Sequence, residues 1–597
     1  MQFTTRPELK GTFGMVASTH WLASAVGMKL LEEGGTAADA AASMGFVLNV
    51  VEPHLNGPLG DMPALYWPAN ADAPVVFCGQ GPAPAGATLA HYREEGLDLI
   101  PASGLLATVI PGAFDAWMLM LRDHGRLSLR AVLEPAIHYA SAGHPILPSV
   151  AGTIAALADV FRDEWPTSAP VWLPGGQAPA PWSLFRNPDL GAFWRRLLVE
   201  AETQTGREAQ IEAARRVFSE GFVAEAIDMF LRDACVLDST GERRRGVLTG
   251  ADMAGWNATV EAPVSTTYRG ATVWKCGPWS QGPVLLQALR ILEGSDIAGL
   301  ESGGDAFVHL LSEALKLAFA DREAYYGDPD HAEIPLEALL SERYAGARRR
   351  EIDAEASQAQ RPGALPGFER QADAFLARAA AAEARQAAGV GVGEPTMAHL
   401  TKARGDTCHI DVIDQWGNAV SATPSGGWLK SNPVVPGLGV PLNTRAQMFW
   451  LDPDLPTSLA PGRRPRTTLS PSMARTRDGV RLAFGTPGGD QQDQWQLAFL
   501  LRVLDHGMNL QEAIDAPLFH TAHLQSSFFP RATQPGHLLV EPAFGADTIA
   551  ALRARGHRLE VAQPWSAGRL SAAAQDPCGL LRAAATPRLM QAYAIGR

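Results

Sequence analysis

The sequence predicts a mixed α+β protein, and three observations carry that prediction. Residues 405–425 alternate polar and apolar side chains on both sides of Gln415-Trp416-Gly417, the pattern of a β-hairpin whose three-residue loop uses Gly417 in the left-handed conformation. Residues 107–231 and the stretch from His309 to Arg322 carry apolar residues at helical spacing. Val75-Val-Phe-Cys-Gly79 is an apolar run too short for a helix and reads as a buried strand.

The elements follow in order. Leu22, Val26 and Leu30 sit on one helical face, and Gly34-Gly35 ends that helix. Thr36-Ala-Ala-Asp39 reads as a capping box opening an Ala-rich helix to about Val51. A Pro/Ala turn at 82–86 follows the strand, and Pro/Trp-rich loops at 164–181 interrupt the helical region. Asp328-Pro-Asp-His331 reads as a capped turn. From about 341 to 402 the chain becomes rich in Ala, Arg, Glu and Gln, broken by Pro362, Pro366 and Gly389-Val-Gly-Val-Gly393. That glycine run lacks the spacing of a dinucleotide fingerprint, and the segment reads as an exposed helical excursion and linker. Further on, Leu482-Ala-Phe484 ends a strand and 491–504 forms an amphipathic helix, with Gly485-Thr-Pro-Gly-Gly-Asp490 turning between them. Such a turn aims backbone N–H groups into one space. No Gly-Lys-Ser/Thr follows, which argues against a nucleotide-phosphate loop. No repeat of solenoid or propeller period is present.

Composition narrows the function classes. The 597 residues are 46% hydrophobic and 19% charged, as in a globular protein with a large core. Against 63 acidic residues stand 50 basic ones, so the net charge of −13 argues against a nucleic-acid partner. Five scattered cysteines make neither a disulfide framework nor a zinc cluster and suit a reducing compartment. The start lacks the apolar core of a signal peptide, and no run is long enough to span a membrane. The chain therefore reads as cytoplasmic, with no membrane partner. His309 and Glu313 stand at i and i+4, but the second His of a zincin pattern is missing. A structural role is expected for them, and neither metal nor cofactor.

If Asp414 pairs with Asn418, the hairpin register sets Ser421 opposite Asp411, Thr423 opposite His409 and Ser425 opposite Thr407. One face then gathers hydroxyls and an imidazole near Thr407, although a solvated strand face looks the same. A threonine, a His two residues on, a short strand and then Asp-x-x-Gly-Asn-Ala-Val-Ser resemble the start of the small subunit in the gamma-glutamyltransferase family. The strings from Gly14 to His54, at Leu248–Trp256, at Tyr268-Arg-Gly270 and at His309–Arg322 are also similar to that family. The resemblance covers nearly the whole chain except the 341–402 excursion.

The resemblance implies a four-layer αββα sandwich of the N-terminal-nucleophile hydrolase type, made as one precursor that cuts itself between Asp406 and Thr407. Residues 1–406 would be the large subunit and 407–597 the small one, together one structural unit; a homodimer of the processed heterodimer is left open. A threonine hydroxyl needs an adjacent base, and the cut supplies one as the α-amine of Thr407, whose ordinary pKa is about 7.7–8.0. Ser425 is expected to position that hydroxyl, and Gly488 and Gly489 match the glycine pair of the oxyanion hole. Thr467 and Thr468 match two hydroxyl residues that contact the substrate's carboxylate, and Thr423, Gln80 and Arg445 complete the expected substrate-binding set.

Three departures cluster at the substrate's head group. Aligned on Ala83-Pro84, Gln80 stands where the family arginine holds an α-carboxylate. Gly427 replaces an asparagine, and within Asn443-Thr-Arg-Ala-Gln-Met-Phe449, Met448 takes the acidic position and Arg445 the glutamine position. The catalytic apparatus thus reads as intact and the glutamate clamp as lost. This favours a small-molecule amide substrate with another acyl group, such as an oxamate-like or glutaryl-like carboxyacyl group. The alternatives are a true gamma-glutamyl hydrolase or transferase acting on glutathione, an unprocessed pseudoenzyme that binds a metabolite, and a Cys408 thiol enzyme. Cys408 lies on the strand face opposite Thr407, which favours a buried apolar role.

Overall fold

The computed structural model describes residues 3–386 and 407–597. Helix Trp21–Glu32 is followed by the fully buried helix Ala37–Val51, opened by the Thr36/Asp39 capping box that the sequence predicts. The strand Val75–Gly79 forms as read. Six helices between Ala113 and Asp233 fill the helical region, and within its loops Ala169–Trp172 makes one more turn that buries Trp172. The helix predicted at His309 runs longer than its pattern, as Asp305–Tyr325.

Two seven-stranded sheets form the centre, and neighbouring strands within each pair antiparallel. The first runs, in spatial order, Tyr593–Gly596, Met15–Ser18, Ile410–Ile413, Ala419–Ala422, Met62–Trp67, Val75–Gly79 and Thr259–Glu261. The second runs Leu9–Gly11, Leu581–Ala585, Ser571–Gln575, Arg481–Gly485, Ser472–Arg475, Ala271–Lys275 and Val264–Tyr268. Each sheet interleaves strands from before and after residue 406.

Alternation along the strands decides the layers. Met15, Leu65, Trp67 and Ile413 of the first sheet meet Trp274, Met473, Ala483 and Ala573 of the second. On the opposite faces, Ile410, Val412 and Val420 pack against Phe46 and Val47 of one helical layer. Val273, Leu482 and Ala572 pack against Leu286, Leu315 and Leu501 of the other. The result is a four-layer αββα sandwich. A fully buried leucine or phenylalanine in these layers contributes about 1.5–3 kcal/mol.

The expected excursion is described as far as residue 386, and that part packs onto the helical layer. Leu365, Phe375 and Ala379 join the second outer core, Arg348 pairs with Asp321, and Arg378 pairs with Asp98 and Asp452. Its continuation, with Pro395 and Asp406, lies outside the described residues. No helix among the described residues is long and apolar enough to cross a membrane.

Candidate active site

The hairpin register is the one the sequence predicts: Asp411 faces Ser421 and Ile410 faces Ala422, with Gly417 at φ 89° in the loop. Beyond the regular ladder, Thr407 pairs with Ser425 as an isolated antiparallel bridge. Thr407 Oγ1 lies 3.2 Å from Ser425 Oγ, and both residues are fully buried. The polar face therefore looks into the gap between the two sheets and away from solvent. Within it His409 Nδ1 meets Thr423 Oγ1 at 2.9 Å, His409 Nε2 meets Asp411 at 3.0 Å, and Ser571 donates to Asp411 at 2.7 Å. This chain ties the sheets together and engages the Thr423 hydroxyl two residues short of Ser425.

The second sheet continues the site. Ser421 Oγ donates to the Phe484 carbonyl at 3.2 Å, and Gly485 lies against the His409 ring, where a methyl group would come within 2.2 Å of it. From Phe484 through Gly485 to the turn at 486–489, the chain advances in the same sense as Asp411, His409, Thr407. The glycine turn therefore lies at the Thr407 end of the sandwich. Gly488 has φ 135° and Gly489 φ 57°, and a methyl group at Gly488 would lie 2.3 Å from the Trp495 ring. The helix that follows, Gln492–Leu504, leaves its first N–H groups at this turn. Ser472 pairs with Phe484, so the preceding Thr467-Thr468 reaches the same end. Thr468 Oγ1 is buried with no partner.

A third strand brings residues the sequence reading did not single out. Asp61 and Ser425 exchange backbone hydrogen bonds of 2.9 and 3.0 Å, and Met62 pairs with Gly79. One row across the first sheet thus reads Thr407, Ser425, Asp61, Gln80. Asp61 Oδ1 accepts from Arg445 Nε at 2.9 Å, with both side chains buried and Arg445 stacked 4.8 Å over Trp428. Arg445 is therefore in a buried ion pair and not at the surface. Burial pushes the Asp61 carboxyl up, opposed by Arg445 and by Thr467. Asp61 Oδ2 and Gln80 Oε1 are buried without partners. Met448 packs with Trp428 and Phe528 in an apolar cluster, and Gly427 takes φ 65°.

Behind the glycine turn, Arg322 and Glu323 of helix Asp305–Tyr325 hold both small segments of the site. Arg322 reaches Asp490, the residue after Gly489, at 2.6 Å, and Glu323 accepts from Arg466, the residue before Thr467, at 2.8 Å. Ser527 donates its N–H and hydroxyl to Asp490 at 2.9 and 2.5 Å. Burial alone would raise the Asp490 carboxyl, but Arg322 and Arg466 hold it below the usual range.

Cys408 points into the outer core, with Sγ 3.1 Å from Glu52 Oε2; burial pushes its thiol well above the ordinary value, which opposes a thiolate role. His309 and Glu313 gain a neighbour that helical spacing does not show, His557, and their ligand-type atoms all lie within 4.8 Å. Lys316 and Arg361 already pair with Glu313, and His309 and His557 bond each other at 3.0 Å. Two cations on its carboxylate make the cluster a poor metal cage.

A family model described as gamma-glutamyltranspeptidase matches residues 23–596. The chain belongs to the gamma-glutamyltranspeptidase family. As a member it is an N-terminal-nucleophile hydrolase, an enzyme of the amidohydrolase and acyltransferase kind. Curated relatives in this family span nearly the same length. The glutathione hydrolase-like YwrD proenzyme of Bacillus subtilis (strain 168) is 32% identical over 97% of each chain. The acylase ACY 1 proenzyme of Pseudomonas sp. (strain SE83) is 32% identical, covering 96% of this chain and 92% of its own. The oxamate amidohydrolase proenzyme of Klebsiella pneumoniae is 31% identical over 97% of each. Among solved structures, LmbA2991HD is 52% identical, with a TM-score of 0.91 and full coverage of both chains. The cephalosporin acylase of Bacillus halodurans, 28% identical, superposes with a TM-score of 0.81 over 100% of this chain and 97% of its own.

For this family member, sequence reasoning missed Asp61, Arg322 and Asp490. Asp490 had a signal, because it ends the glycine-rich string. Asp61 had none: its partner Arg445 lies 384 residues away, and only tertiary pairing joins them.

Proposed function

We propose that the chain cuts itself between Asp406 and Thr407 and that Thr407 is then the nucleophile of an amidohydrolase. Thr407 Oγ attacks the Asp406 carbonyl carbon, the peptide C–N bond breaks, and the hydroxyl proton goes to the departing nitrogen. Water hydrolyses the resulting ester, which leaves an Asp406 carboxylate and a Thr407 with both hydroxyl and α-amine free. In turnover the same hydroxyl attacks the substrate amide, and the α-amine carries its proton to the leaving nitrogen. The Gly488 and Gly489 N–H groups face the oxyanion. Water then releases the acyl group. The observation that carries this reading is the buried contact of Thr407 and Ser425, at the end of the sandwich where the glycine turn also lies.

For the acyl group we propose a carboxyacyl unit, its carboxylate received by Arg445 with Thr467 and Thr468. A gamma-glutamyl head is a zwitterion, and burying each unpaired charge costs several kcal/mol. Gln80, Gly427 and Met448 supply no charge for it. The reading is supported by two relatives whose names are an acylase and an oxamate amidohydrolase. One observation favours the gamma-glutamyl alternative: Asp61 Oδ2 and Gln80 Oε1 are acceptors that suit an amine. On matured protein, oxalyl-, succinyl- and glutaryl-amides are expected to be hydrolysed and gamma-glutamyl-anilide to be at least about tenfold poorer. Efficient gamma-glutamyl release with transfer to a dipeptide would select the alternative. Carboxyacyl activity that survives Arg445→Ala would remove the role given to that arginine. The five free cysteines support residence in the cytoplasm.

Ser425→Ala is expected to slow both maturation and turnover by about two- to tenfold, the equivalent of one hydrogen bond. Band densitometry over time and initial rates check this; unchanged values for both would remove the positioning role of Ser425.

A further inference from the structure

The buried charges behind the glycine turn do not balance. Among the described residues, Arg322, Arg466 and Arg531 stand against Glu323 and Asp490, so one positive charge is in excess. All three arginines are at most 1% exposed. Asp493, which also feels Arg322, forms its own buried pair with Lys275 at 2.9 Å, and the two cancel.

The hydrogen bonds are also incomplete. Arg322 and Arg466 share Glu323 Oε1, at 2.6 and 2.8 Å. Arg531 donates through Nη2 to the Gln447 and Phe449 carbonyls, both at 3.0 Å, and stacks 4.3 Å over Trp450. Left over are Nε and Nη1 of Arg466, Nε and Nη1 of Arg531, and Nε of Arg322, all buried without a partner. Orphaned charged donors are costly in a low-dielectric interior, and several in one cluster mark a site for an acceptor. Burial lowers Arg466 to about 10 and Arg531 to about 9, the direction expected where positive charge is crowded.

We propose that Arg466 and Arg531, backed by Arg322, form a binding site for one small monovalent anion, a halide or a carboxylate. Its place gives it a functional connection. Arg466 directly precedes Thr467-Thr468, and Asp490, held by Arg322, directly follows Gly488-Gly489. An anion there neutralises the excess charge and fixes both segments from behind. The inference does not depend on which acyl group is cleaved, nor on Thr407 being the nucleophile.

The test is anion exchange at constant ionic strength on the purified wild-type chain. Gluconate, too bulky for a closed site, is replaced stepwise by chloride, bromide, formate or acetate while Tm is followed. A saturable rise of a few degrees is expected with the small anions, lost in Arg531→Met and in Arg466→Met. Crystals grown in bromide are expected to show an anomalous peak between Arg466 and Arg531, a readout that needs no variant. Competition by formate or acetate against substrate would identify the anion as a substrate carboxylate. A halide effect without any change in KM would identify a resident ion. No saturable dependence in the wild type and no bromide peak would overturn the proposal.

Discussion

Thr407→Ala is expected to remain a single chain of 597 residues and to lose amide hydrolysis by a factor of about 10^4 or more. The substitution removes the one atom that both steps share. The hydroxyl that would form the ester at Asp406 is also the one that would form the acyl-enzyme. The methyl that remains still fills the buried place opposite Ser425, so the fold is expected to survive, with circular dichroism and Tm close to wild type. Thr407→Ser keeps a hydroxyl there and is expected to be cut and active, though more slowly. Gel mobility and initial rates decide the matter. An Ala variant that is still cut at 406/407, or still turns over, would remove Thr407 from the mechanism.

The second large effect is expected at the glycine turn. Gly488→Ala is opposed twice: at φ 135° a Cβ is strained, and its methyl would meet the Trp495 ring at 2.3 Å. The turn must shift, and the N–H groups shift with it. Removing one oxyanion donor costs about 10^2–10^3 in kcat in comparable hydrolases, and misplacing the pair is expected to cost at least as much. The loss should fall on kcat with KM little changed, because the donors act on charge that develops in the transition state. Gly507→Ala, at φ 64° with no neighbouring atom within 4 Å, is a control for backbone strain alone. Equal rates for the Gly488 variant and that control would show that the turn is not the oxyanion site.

The hairpin was legible because a period of two and a three-residue loop leave little freedom in the register. The αββα layering followed from resemblance, and alternation at Asp411, Val412 and Ile413 shows why it holds: one parity meets helices and the other the second sheet. What stayed hidden was set by contacts between distant parts of the chain. Asp61 and Arg445 meet only after two strands and a loop have assembled, as do Arg322 and Asp490. Likewise Phe375 and Ala379, in a stretch whose composition reads as exposed, find a core only on the surface of other helices. The polar hairpin face shows the limit most clearly. Thr407, His409, Ser421 and Ser425 have the pattern of a solvated face, and only the second sheet turns it into an interior.

The most direct measurement is N-terminal sequencing of the smaller piece formed by the wild-type chain, together with the intact masses of both pieces. The account predicts a fragment beginning Thr-Cys-His-Ile-Asp, with masses matching residues 1–406 and 407–597. A wild-type chain that stays whole after prolonged incubation, or a fragment that begins at any other residue, would contradict it.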